Sequence, residues 1–161
     1  MTSRISTKHA LLNERLGTPP NAELVLSLLS LARDIDRACA DMLAPYGLSE
    51  SRLAAMLAIE RRPLITAAEL ADHLDVTRAT VTGLVDGLDR AGYVVRHTPG
   101  SDRRRSQLTL SSKGAALLDE LMPVYKTWFE ALAANVNAET RDVATGALGE
   151  LHDAFKSGER S

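Results

Sequence analysis

Residues 67–110 constrain this chain most tightly. Two short amphipathic helix patterns, Ala67 to Leu74 and Thr77 to Ala91, stand a few residues apart and are followed by two strand-like segments, Tyr93 to Arg96 and Gln107 to Leu110. Between the strands lies Arg96-His97-Thr98-Pro99-Gly100-Ser101-Asp102-Arg103-Arg104-Arg105, a turn crowded with cations. Pro-Gly-Ser-Asp is turn chemistry, so the strands close as a β-hairpin. Like charge packed this densely calls for an anionic partner; a merely solvated basic hairpin is the alternative.

The helix boundaries are written in caps. Thr66 followed by Glu69 has the spacing of a capping box, and Ala67, Leu70, Ala71 and Leu74 give that helix one apolar side. Thr77 caps the next helix, which turns Val81, Leu84, Val85 and Leu88 inward and leaves Arg78, Thr80, Thr82 and Gly83 on other faces. Gly92 ends it. The order helix, turn, helix, strand, loop, strand describes a winged helix-turn-helix whose basic loop is the wing.

Net charge does not announce a polyanion, since the 161 residues sum to −2, but its distribution does. Residues 76–114 hold seven Lys/Arg against three acids, whereas residues 115–161 hold four against eight. A basic middle in an otherwise neutral or acidic chain suits docking of one face on nucleic acid. The apolar content of 45% supports a genuine core. A single cysteine, Cys39, excludes an internal disulfide and a cysteine zinc site. No stretch reaches membrane-spanning length and no signal-peptide core follows Arg4, Lys8 and His9, so a cytoplasmic location without membrane contact is expected.

Outside the winged segment the chain is helical. Residues 1–20 form an arm, with Thr7 as a candidate cap and Gly17 and Pro19-Pro20 as a stop. Leu24, Leu28, Leu31, Ile35, Ala38 and Met42 mark a long helix from Asn21 to about Ala44-Pro45. Ser49 opens another, with Leu53, Met56, Leu57 and Ile59 inward. After Ser111, an apolar face from Leu117 to Leu132 meets Pro123, which predicts a kink or a restart, and a last helix begins near Ala138. The expected organisation is an arm (1–20), a helical dimerisation region (21–48 and 112–161) and a winged helix-turn-helix (49–111), mainly α with a small β-hairpin. A monomeric bundle burying everything internally is the competing arrangement.

At this point the chain is similar to the MarR family of bacterial transcription regulators, from about residue 24 to residue 155. The resemblance is carried by "ELADHLDVTRATVTGLVDGLDRAGYVVR" (69–96) and "DRRRSQLTLSSKG" (102–114), which look like the family's helix-turn-helix, its Asp-Arg-Arg wing and the Leu-Thr/Ser-x-x-Gly that begins the next helix. Three departures stand out. The turn before Asp102 is one residue longer than the commonest pattern, Gly83 replaces a longer polar side chain, and the arm lacks an aromatic anchor.

A helix in the major groove brings Thr77, Arg78, Thr80 and Thr82 to duplex DNA, with Arg78 suited to a bidentate guanine contact and Thr77 doubling as cap. The resemblance places a minor-groove role on Arg104, aimed by Asp102, and leaves Arg103 and Arg105 to phosphates or salt bridges; the longer turn keeps either of these in play as the reader. It also implies a homodimer on a pseudo-palindromic operator, repression, and release by a small anionic or phenolic effector. Arg37, Met42, Tyr46, Arg52 and Met56 are the candidate effector lining. Alternatives are a thiol-redox regulator using Cys39 and a winged-helix module for protein contacts. Scattered His9, His73, His97 and His152, with no phosphate loop and no partnered nucleophile, argue against an enzyme, and no metal or cofactor is expected, although spacing leaves open a metal-sensing site assembled by the His and acids from distant segments.

Overall fold

Side-chain caps set where the central helices begin in the computed structural model, which describes residues 7–17, 22–97 and 106–158. Ser49 accepts from the Arg52 amide at the start of α3 (Glu50–Arg61), and Thr66 and Glu69 form the reciprocal capping box that opens α4 (Ala67–Leu74). Thr77 accepts from the Thr80 amide to open α5 (Arg78–Arg90). Each cap satisfies an amide that the first turn of a helix leaves without an internal partner. Ahead of them run α1 (Thr7–Leu16) and α2 (Ala22–Leu43), the latter closed by a short 3-10 turn, Ala44–Tyr46.

The sheet has three antiparallel strands in the order β1 (Ile65–Thr66), β3 (Gln107–Leu110), β2 (Val94–His97). Ile65 faces Leu108 on one side of β3, and Arg96 faces the same Leu108 on the other. The expected hairpin strands are therefore present, with β2 one residue later than Tyr93–Arg96. The hairpin's connecting residues 98–105 lie outside the described residues.

Two compact units divide the chain, residues 1–114 and 115–161. In the first, Leu43, Met56, Ile59, Leu70, Val81, Val85, Leu88, Val94 and Leu108 are almost wholly buried. The stripe expected on α2 is not its buried side: Leu26, Ser30, Cys39 and Leu43 are buried, while Leu24 and Leu31 are exposed. The helix is apolar on two faces. The chain continues through α6 (Ser112–Ala133) and α7 (Ala138–Gly158). Pro123 sits inside a continuous α6, so the expected restart does not occur. The carbonyl that proline leaves unpaired belongs to Asp119, which is exposed, as is Pro123 itself.

Candidate nucleic-acid interface

Helices α4 and α5 are joined by Asp75, Val76 and Thr77. Asp75 adopts φ 53°, a left-handed turn that an Asp tolerates better than most residues, and its neighbour's amide returns to Ala71 with a Val76 N to Ala71 O bond of 3.1 Å. Such a turn ends one helix and immediately starts the next. Glu69 keeps the joint's far end fixed: its carboxylate accepts from the Thr66 amide and hydroxyl, both at 2.8 Å. Those bonds, with a lesser contribution from Arg62, hold the Glu69 carboxyl below its ordinary range.

On α5 the buried stripe is Val81, Val85 and Leu88, and the residues expected to meet DNA lie off it. Thr77, Arg78, Thr80 and Thr82 are all exposed and crowd the first turns. The hydroxyls of Thr77 and Thr80 share a 2.9 Å hydrogen bond, and the Thr82 hydroxyl donates to the Arg78 carbonyl at 2.9 Å. Arg78 has no ion pair among the described residues, so its guanidinium is available to an external acceptor.

Arg96 at the base of the hairpin was part of the basic run but received no role from sequence. It pairs with Asp86 through Nη2 and lies 3.2 Å from Asp89 Oδ2 through Nε, the latter out of line for a hydrogen bond. A strand of the hairpin is thereby tied to the second half of α5. The pairing also offsets the two acids of α5 that would otherwise repel a polyanion. Asp86 and Asp89 recur at helical spacing, and that i, i+3 pair was the available signal.

A second tie joins the end of α5 to the start of α6. Ser111 donates its hydroxyl to the Gly92 carbonyl at 2.6 Å and its amide to the Tyr93 carbonyl at 2.9 Å, and accepts from the Gly114 amide at 3.0 Å. Lys113 donates to the Ala91 carbonyl at 2.8 Å and lies 4.7 Å from the centre of the Tyr93 ring. A cation there also suits the negative end of the α5 dipole.

Asp102, Arg103, Arg104 and Arg105 lie outside the described residues. Of the effector candidates, Arg37 is exposed, Met42 and Tyr46 are half-buried and Met56 is fully enclosed. Arg52 donates to the Gly47 carbonyl at 3.2 Å and rests against α5 so closely that a Cβ at Gly87 would lie 2.9 Å from its Nη2. Gly87 thus lets a side chain from α3 lie flat on α5. Cys39 is buried. Among the described residues no helix is long and apolar enough to cross a membrane.

Known proteins agree with this architecture. The MarR family profile matches residues 46–105. The HTH-type transcriptional repressor YetL of Bacillus subtilis is 31% identical over 133 residues, 81% of this chain and 80% of YetL. Among solved structures, Staphylococcus aureus MarR in complex with salicylate and kanamycin superposes with a TM-score of 0.71 at 14% identity, covering 97% of this chain and 99% of that one. The S. aureus MepR-DNA complex gives 0.67 at 15% identity, covering 80% and 94%. With the capped helix-turn-helix, the hairpin and the similarity to YetL all in agreement, the chain belongs to the MarR family: it is a winged helix-turn-helix transcription regulator that binds DNA, and not an enzyme.

Proposed function

We propose that the chain is a repressor that binds a pseudo-palindromic operator as a homodimer and leaves it when a small anionic or phenolic effector binds. The observation that carries the reading is the exposed start of α5, where Arg78 has no ion pair among the described residues and stands beside Thr77, Thr80 and Thr82. A helix so presented fits the major groove, and Arg78 fits the paired acceptors of guanine, a contact worth about 1–3 kcal/mol of discrimination. Asp102, Arg103, Arg104 and Arg105 then belong to the wing, with Arg104 in the minor groove and its neighbours on phosphates. The MepR complex contains DNA, which supports the docking mode.

Repression is supported by the similarity to YetL, itself a transcriptional repressor. Dimerisation is supported by apolar side chains left on the surface: Leu24, Val25, Leu29 and Leu31 on α2, and Val143, Leu148 and Phe155 on α7. Residues 21–48 and 112–161 are therefore assigned to the dimer layer and 49–111 to the DNA-binding module. Salicylate in the S. aureus MarR structure is a phenolic carboxylate, which supports an effector of that chemistry. Arg37, Met42, Tyr46, Arg52 and Met56 remain the proposed lining. Arg52 touches α5 at Gly87, so an anion drawing its guanidinium from Gly47 and Gly87 would disturb the DNA-reading helix directly.

The test starts from sequences selected out of random duplexes, titrated at fixed salt with the wild type, Arg104→Ala and Arg90→Ala. Arg104→Ala is expected to weaken binding more than Arg90→Ala. Equal affinities for the two variants would remove the wing from the mechanism, and failure to select any sequence would remove the operator.

A further inference from the structure

At 100° per residue, the stripe of α5 opposite the buried Val81, Val85 and Leu88 is Ala79, Gly83, Asp86 and Arg90, with Thr82 on one flank, Arg78 beyond it, and Thr80 on the other flank. Over its first two turns, Ala79, Gly83 and the flanking Thr82 offer a groove almost no hydrogen-bond donor. Ala79 contributes a methyl, and the Thr82 hydroxyl gives its proton to the Arg78 carbonyl, leaving its methyl and acceptor lone pairs only. Asp86 is held by Arg96. At Gly83 an added Cβ would meet nothing within 4 Å among the described residues, unlike Gly87, which accommodates Arg52. A glycine inside a helix costs about 1 kcal/mol relative to alanine. On an outward face its missing side chain leaves room for a close approach from outside the molecule.

We infer that this part of α5 reads thymine: the methyls of the i, i+3 neighbours Ala79 and Thr82 pack on the C5-methyl groups of one or two thymines in each half-site, and bare Gly83 lets α5 lie deep enough for them to touch. The inference rests on α5 occupying the major groove, where thymine alone presents a methyl. It assigns two kinds of readout to the start of the helix, apolar contact through Ala79 and Thr82 and a single guanine contact through Arg78. Thr82 becomes a specificity-determining residue through its methyl and not through its hydroxyl.

The experiment replaces each thymine of the selected duplex, one at a time, by deoxyuridine, which removes only the methyl. Affinity is measured for the wild type, Thr82→Ser and Thr82→Val, with thermal melts to establish that each variant is folded. At one or two thymines per half-site the wild type should lose about fourfold in affinity, the change expected for one carbon's worth of buried apolar surface. Thr82→Ser should bind the thymine duplex about fourfold less well and become indifferent to deoxyuridine at one of those sites, while Thr82→Val should remain sensitive. A wild type insensitive at every thymine overturns the inference, as does a Thr82→Ser variant that keeps full sensitivity at all of them. If these insensitive proteins still lose sequence preference on Arg78→Ala, α5 remains the reading helix and only the methyl readout falls. If no duplex is preferred at all, the docking of α5 falls with it.

Discussion

Gly114 shows how one atom can fix a residue type. A Cβ there would lie 2.2 Å from the Tyr93 carbonyl oxygen, which already accepts the Ser111 amide, and backbone on both sides gives the clash no flexible side chain to displace. Gly114→Ala should therefore destabilise the protein by about 2 kcal/mol, seen as a melting temperature about 6 °C lower for a chain of this size. A melt unchanged within a degree would show that the α5–α6 joint yields. The glycine is visible in sequence as part of the Leu-Thr/Ser-x-x-Gly resemblance, here Leu110-Ser111-x-x-Gly114, but its reason is not. The reason is a contact between segments about twenty residues apart, which local patterns do not carry. Arg96 was hidden in the same way, since its two acidic partners lie on α5, seven and ten residues upstream.

Helices were legible wherever their ends carry local chemistry. The Thr66–Glu69 box and the Thr77 cap stand where their spacing placed them, because a cap is an interaction within four residues. What was not legible was which side of α2 is covered, since Leu24 and Leu31 on one face and Leu26 and Leu43 on another are equally apolar and only tertiary packing chooses. Of the two outcomes expected at Pro123, the restart does not occur, for a related reason: an exposed helix side can solvate the freed carbonyl, and the helix continues. The capping box makes a prediction at this scale. Glu69 has its pKa lowered from 4.5 on folding, so its ionised form adds stability above that pH, and this is lost as pH falls through the lower folded-state value. Thermal melts of wild type and Glu69→Gln should thus differ at pH 7 and converge as the pH drops below about 4.5. A difference that stays constant into strong acid would remove the charged box from the account.

For the whole molecule, the division of labour follows from surface chemistry. One region exposes polar and cationic side chains on α5, and the long helices expose large apolar ones, including Leu29 on α2 and Phe129 and Phe155 further on. Large apolar side chains left in water favour association, so sedimentation at micromolar concentration should give a dimer, and Leu29→Glu combined with Phe155→Glu should shift it toward monomer and weaken operator binding together. A wild type sedimenting as a monomer with and without DNA would contradict the two-fold arrangement. The most direct measurement is a titration of the selected duplex and a scrambled one by wild type and Arg78→Ala at one salt concentration. The account predicts that Arg78→Ala loses roughly 10- to 100-fold on the selected duplex and little on the scrambled one. Equal affinity of the two proteins for the selected duplex would contradict the claim that α5 reads the operator.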